Sequence, residues 1–264
     1  MRKLAFATVA LVAGCHRAFG ISFDHPDAAP EDGPPDAPRS AYAEAVLQDQ
    51  PIGYWRFSAS SPVTAMDLAG QAPGLYTGDA APTAIGALPL EDDRAVALDG
   101  TGDYVDMGAR FGFPGTLAFT IEAWVKPDVN GLYNGVVSKN DESAGGNTRV
   151  GYHMYTQAGA FGFERNDGTL SQDVRTGALT TMRWTHVAIA YDGAKLSLYT
   201  DGVRQAMTAV PNVLLPVTTN AFVVGARNGG AYLFLKGGID EVAVYDKALT
   251  DVQLAAHRLV GLGQ

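Results

Sequence analysis

One cysteine, Cys15, stands in 264 residues, so no disulfide forms within the chain, and neither a CxxC redox pair nor a cysteine-built zinc site can be drawn from it. Basic residues are scarce as well. The 19 Lys and Arg against 28 Asp and Glu give a formal charge of -9, which excludes the basic footprint that nucleic-acid binding needs. The chain also lacks a GxSxG elbow, an HExxH metal motif and a phosphate-cradling glycine loop between strand and helix. The apolar run at 4–13 is too short to span a bilayer. What is plentiful is punctuation: 31 Gly and 14 Pro, with 47% hydrophobic residues, suit many short strands joined by turns.

Arg2 and Lys3 precede the apolar run, and small residues lead into Cys15, a pattern that reads as an export signal over 1–14. The segment Leu11-Val12-Ala13-Gly14-Cys15 resembles the bacterial lipobox. That resemblance implies cleavage before Cys15, lipidation of its thiol and anchorage to the cell envelope, because two or three acyl chains hold far more firmly than one. His16 directs the reading to the outer membrane; an ordinary secretory signal, giving a secreted or periplasmic protein, is the alternative. Residues 15–40 scatter Pro26, Pro30, Pro34, Pro35 and Pro38 among acidic and small residues. Such a segment cannot bury enough apolar area to offset its ordering, so a disordered tether is expected there and a folded domain over 41–264.

Within that domain, 183–202 reads RWTHVAIAYDGAKLSLYTDG. Thr185, Val187, Ile189 and Tyr191 fall on one face and Trp184, His186, Ala188 and Ala190 on the other, with Asp192-Gly193 and Asp201-Gly202 as turns. A strand with apolar groups on both faces lies in a sheet covered on both sides or lines a concave face. Further strands are expected over 52–57, 95–98, 104–107, 117–126, 136–138, 150–155, 160–164, 170–174, 222–225, 232–235 and 238–245. Residues 67–78, 82–89 and 139–149 read as loops, and 42–47 as a brief helix or an extended lead-in. Thr250 and Gln253 have capping-box spacing for a helix over 251–259.

TIEAWVKPD at 120–128, VVSK at 136–139, RWTHVAIAYDG at 183–193, LSLYTDG at 196–202 and GGIDEVAVYDKALTDVQL at 237–254 resemble the laminin-G-like, concanavalin A-like lectin-glucanase jelly rolls. PIGYWRF at 51–57, GLYTG at 74–78 and AVALDGTGDYVDMG at 95–108 resemble their opening strands, so the resemblance covers about 42–260. It implies an all-β fold: a two-sheet antiparallel jelly-roll sandwich with one short C-terminal helix. It also implies one structural calcium ion, with Asp240 and Asp67 matching the family's acidic ligands and Gln71 standing where asparagine is common. Salt-bridged or hydrogen-bonded carboxylates without metal are the alternative. The residues alone already mark Asp240, a carboxylate placed by strand alternation on the face of Val242 and Val244, where a buried charge needs a partner or a metal. Trp124, Trp184 and His186 read as structural.

The same scaffold serves lectins, adhesins, sugar-binding modules and some glycosidases, so function must come from a site. A glycosidase needs two carboxyl groups across a groove. The Glu-x-Asp-x-x-Glu strand of related glucan-hydrolysing jelly rolls is absent, and Glu122 and Glu164 stand apart, so a non-catalytic protein is expected. Candidate contacts to a glycan or protein ligand are Tyr133, Asn134, Asn140, Asp141, Asn147, Tyr152, Asn228 and Tyr232, aromatics and amides suited to a sugar's apolar face and hydroxyls. A surface-display protein without a small-ligand site is the alternative, and a carbohydrate-active enzyme a further one. The strand at 184–191 is expected to build the sheet that a ligand meets, with the binding surface itself coming from neighbouring loops.

Overall fold

The computed structural model describes residues 40–58, 61–70, 72–129, 133–142, 148–209 and 213–264. The export signal over 1–14, Cys15, the tether up to residue 39, Gln71 and Asn147 lie outside the described residues. The first element is α1 (Ala41–Gln48), whose N-cap Ser40 accepts from the Ala43 N–H. Strands β1 (Gly53–Trp55), β2 (Thr64–Ala65), β3 (Gly74–Thr77), β4 (Ala81–Ile85), β5 (Arg94–Asp99) and β6 (Tyr104–Asp106) follow. Longer strands come next: β7 (Phe119–Pro127), β8 (Asn134–Glu142), β9 (Arg149–Gln157), β10 (Ala160–Asp167) and β11 (Ser171–Ala178). The chain closes with β12 (Thr185–Tyr191), β13 (Lys195–Thr200), β14 (Val203–Ala209), β15 (Val223–Val224), β16 (Lys236–Tyr245) and α2 (Asp251–Gly261), which carries the expected capping box between Thr250 and Gln253.

The expected two-sheet antiparallel sandwich is what forms. One sheet runs β14-β13-β12-β7-β16-β5-β4, with β1 also paired to β16, and the other runs β11-β10-β9-β8-β15-β6-β3-β2. Alternation along the strands sends Phe119, Ile121, Val187, Ile189 and Val244 from the first sheet against Val136, Met154, Phe161 and Phe163 from the second, and these make the core between them. All seven residues of β12 are buried. Val187, Ile189 and Tyr191 enter the inter-sheet core, while Ala188 and Ala190 face outward under α1 and α2. The hairpin strand is therefore covered on both sides. The two helices roof its outer side, so that side is packed against protein.

Several expected loops are strands. β8 continues through Lys139, Asn140 and Asp141 to Glu142, β4 occupies the first half of the expected loop at 82–89, and β2 and β3 flank the loop around Asp67. Polar composition misled there because these strands are edges or present one face to solvent. Conversely, 232–235 forms only an isolated bridge, Arg227 to Tyr232. A bulge between Asp240 and Ala243 in β16, with Glu241 at φ 50°, resets the alternation. Asp240 thus pairs with Trp124 on the helix side, while Val242 and Val244 point into the sandwich, correcting the shared face expected from simple alternation.

The helical roof is held by a buried carboxylate. Glu122, fully buried on β7, accepts from Tyr245 Oη and lies 2.9 Å from His186 Nε2 and 3.0 Å from His257 Nδ1 of α2. His257 Nε2 lies 3.2 Å from Asp49, just beyond α1, and Trp124 Nε1 donates to Tyr42 Oη of α1 at 3.0 Å. Gly261 lets α2 close on this layer, since a Cβ there would sit 2.7 Å from Trp124 Cζ2. Burial would raise the Glu122 carboxyl, but His257 and the hydrogen bonds from His186 and His257 hold it well below the usual range. Burial would lower His257, but Glu122 outweighs it and pushes the imidazole up to about 9.

The signs set the expected pH response. The His257 contribution is complete below its ordinary 6.5 and is lost as pH rises through about 9, whereas the Glu122 contribution is complete above 4.5 and is lost towards acid. Unfolding free energy should fall between pH 6.5 and 9, and His257→Gln should flatten that slope in urea titrations at each pH. Glu122→Ala, which takes the carboxylate from the buried His186 and leaves His257 with Asp49 alone, should cost about 3–5 kcal/mol near neutrality.

Candidate functional site

With the first sheet roofed, the outer face of the second sheet carries a groove. Strand register aligns Ser138, His153, Glu164 and Asp173 in one row across β8, β9, β10 and β11. A parallel row holds Gly135, Tyr155, Gly162 and Arg175. Tyr133, Arg149, Tyr155, Gln157, Glu164, Ser171, Asp173 and Arg175 line a groove of about 320 Å³ over these rows. That is room for a small ligand and falls at the low end of ordinary binding sites.

Its polar groups are held by one another. Arg149 lies 3.1 Å from Glu164, Arg175 Nε donates to Asp173 at 2.8 Å, and Ser171 Oγ donates to Glu164 at 3.0 Å. Deeper, the buried Arg227 guanidinium lies 2.5 Å from Glu142 and 3.5 Å from Glu164. Tyr155 Oη donates to Asp173, and Tyr133 Oη is hydrogen-bonded to His153 Nε2. Rings pack beneath: Tyr133 meets Tyr155 edge-on at 4.6 Å, and Arg175 caps the Tyr155 ring at 5.6 Å. Tyr155 lies over Gly162, where a Cβ would fall 2.3 Å from its Cζ, so the glycine sets the floor. Burial, with Arg227 and Arg149 nearby, pushes His153 well below its ordinary value and keeps it neutral. Burial pushes the Tyr133 phenol up, and burial with the Asp173 hydrogen bond does the same for Tyr155, so both remain neutral donors. Ser138 Oγ, His153 Nδ1 and Arg227 Nε are buried without a hydrogen-bond partner.

Sequence reasoning found one residue of this groove, Tyr133. Tyr152 lies in the core between the sheets, its Oη donating to the Phe111 carbonyl at 2.6 Å. Asn140 and Asn228 form a clamp: Asn140 Oδ1 accepts from the Asn228 N–H, and Asn228 Oδ1 accepts from the Glu142 N–H, both at 3.1 Å. Tyr232 Oη donates to Glu142, Asn134 is buried, and Asp141 sits in β8 opposite Val150. The missed residues are Arg149, Tyr155, Gln157, Glu164, Ser171, Asp173 and Arg175. Their signal was Gly162 between Phe161 and Phe163, a gap in an otherwise large-residue strand.

A second polar cluster lies on the first sheet. Glu91, Asp93 and Glu241 offer carboxylate oxygens within 4.8 Å of one another, close enough to coordinate a metal ion. Arg56 already stands among them, 2.9 Å from Glu241, 3.3 Å from Asp93 and hydrogen-bonded to Glu91. Burial, opposed by Arg56, pushes Asp93 up to about 6 and Glu241 up to about 8; burial with Glu241 and Asp93 raises Asp240 strongly. The two residues expected to hold calcium are engaged by backbone. Asp67 accepts from the N–H groups of Tyr54, Ala69 and Ala72, and Asp240 from those of Ala87 and Glu241. Neither belongs to the three-carboxylate group.

Among the described residues no serine- or cysteine-centred catalytic motif is assembled. The described histidines, His153, His186 and His257, bond to tyrosine or carboxylate partners, and none is bonded to a serine or cysteine. No helix among the described residues is long and apolar enough to cross a membrane.

A family model described as concanavalin A-like lectin/glucanases superfamily matches residues 99–255. No curated protein matches the sequence significantly. Among solved structures, the binding domain of Paraclostridial Mosquitocidal Protein 1 is similar at 15% identity and a TM-score of 0.63, over 80% of this chain and 52% of that one. Domain 4 of a GH43 extracellular arabinanase from Geobacillus stearothermophilus, solved in complex with arabinotriose, is similar at 20% identity and a TM-score of 0.59, over 79% of this chain and 98% of that one. The botulinum neurotoxin serotype D binding domain follows at 12% identity and a TM-score of 0.59, over 81% of this chain and 52% of that one. This chain spans roughly half the length of the two toxin domains. At these identities the likeness shows the fold.

The guanidinium at the centre of the acidic cluster sets its expected metal response. Calcium and a chelator should leave the wild-type melting midpoint unchanged, whereas Arg56→Met, with the three carboxylates uncompensated, should lose stability and regain part of it with added divalent cation.

Proposed function

The chain belongs to the concanavalin A-like lectin/glucanases superfamily, and from that premise we propose that it is a non-catalytic binding protein whose groove on the second sheet takes a glycan. The observation that carries this reading is the groove itself: about 320 Å³, floored by a tyrosine ring and walled by carboxylate, guanidinium and hydroxyl groups. Such alternation of donors and acceptors is what a polyol needs, and the rigid strands beneath hold it in place. The arabinanase domain solved with arabinotriose makes arabino-oligosaccharides a reasonable member of the first screen.

In this reading the domain is displayed on the cell envelope. Cleavage before Cys15 and its lipidation anchor the chain to the outer membrane, and the proline-rich segment up to residue 40 holds the domain off the lipid. The lipobox-like sequence supports that placement.

Two experiments test the reading. On a glycan array the protein should retain a defined subset of glycans, and Arg149→Ala should weaken that retention at least about tenfold while leaving the melting midpoint within a degree or so, because its side chain is half-exposed. A silent array would sink the binding role and favour a surface-display protein. Cys15→Ser should move the protein from the membrane fraction to the soluble one; unchanged membrane fractionation would refute the lipid anchor.

A further inference from the structure

The groove's charges cancel within it. Three guanidinium groups, Arg149, Arg175 and Arg227, face three carboxylates, Glu164, Asp173 and Glu142, and each is already paired at 2.5–3.1 Å. His153, at the floor, adds no charge. Among the described residues no guanidinium there is left without a carboxylate, so an entering anion finds no uncompensated cation. It would have to displace Glu164 from Arg149 or Asp173 from Arg175, leaving a carboxylate beside its own charge. The chain's formal -9 adds a long-range field of the same sign.

A hydroxyl group meets none of this. It donates and accepts at once, so neighbouring sugar hydroxyls can bridge a guanidinium and a carboxylate without breaking the pair. Exposed groups of both kinds stand side by side on β11, where Asp173 and Arg175 point from the same face two residues apart. The tyrosines do not offer an open stacking platform: Tyr155 is 1% exposed beneath Arg175, and Tyr133 is half-buried. Recognition in this groove is therefore carried by polar pairs more than by ring stacking.

Resting on the glycan reading above, we infer that the groove selects neutral, hydroxyl-rich saccharides and rejects carboxylated ones, with the Asp173–Arg175 and Glu164–Arg149 pairs as the determinants of that choice. Removing one carboxylate should reverse the preference. Asp173→Asn frees Arg175, so neutral binding should weaken about tenfold while an acidic sugar gains affinity; Arg175→Gln leaves Asp173 with the Tyr155 hydroxyl but no cation and should weaken acidic binding further.

The full-length protein and both variants can be compared on an array of neutral oligosaccharides of arabinose, xylose, galactose, glucose and mannose beside glucuronides, galacturonides and sialosides. Affinities of the hits are then measured at low and high salt. The expected result is wild-type binding confined to neutral members, insensitive to salt, with a shift towards acidic members in Asp173→Asn. Wild-type preference for acidic sugars, weakening with salt, overturns this inference and leaves the glycan reading intact. Neutral binding with no change of preference in either folded variant overturns the assignment to these pairs. Silence across all members overturns the glycan reading, and this inference with it.

Discussion

A carboxylate removed from water is tolerated only when donors surround it, and Glu122 meets that condition with two imidazoles and a tyrosine hydroxyl drawn from β12, α2 and β16. Satisfying it fixes α2 over the first sheet, and through His257 to Asp49 and Trp124 to Tyr42 it brings α1 into the same layer. The arrangement is costly to form and more costly to break, which is the usual character of buried ion networks. Its consequence is architectural. One face of the sandwich is closed by apolar side chains around this network, while the outer face of the second sheet carries a polar groove.

The second sheet meets its own burial problem differently. Its outward residues along β8 to β11 are charged and hydroxylated, and they satisfy one another across strands: Arg149 with Glu164, Arg175 with Asp173, Arg227 with Glu142. These pairs are worth little to stability where they are exposed. They matter as a preorganised surface, because rigid strands fix the spacing of donors and acceptors before any ligand arrives. Gly162 contributes by absence, letting the Tyr155 ring lie down where any side chain would lift it. The acidic cluster around Arg56 follows the same logic at the opposite sheet, a guanidinium standing where the carboxylates would otherwise call for a cation.

Much of the scaffold was legible in the sequence because it depends on short-range signals. The hairpin at 183–202 is fixed by period-two alternation and two Asp-Gly turns, and α2 by its capping box. β14, VRQAMTA, escaped notice because an exposed edge strand needs no apolar alternation. Asp240 was rightly marked as anomalous but placed on the wrong face, since a bulge at Glu241 leaves no mark in residue type. The groove was the least legible part. Arg149, Glu164, Asp173 and Arg175 lie on three strands, and only register brings them together. Read singly, each is a solvated charge on a strand, and the loop-edge amides that looked more promising turn out to hold β8 to the turn at Asn228.

The central claim is that the outer face of the second sheet is the ligand-binding face. Amide chemical-shift mapping of the labelled protein during titration with an oligosaccharide selected from the array tests it most directly. The account predicts shifts concentrated at Arg149, Tyr155, Glu164, Ser171, Asp173 and Arg175, with α1, α2 and the loops around Asp67 and Glu91 unmoved. Shifts centred on those loops or helices, with the β9 to β11 face silent, would contradict it.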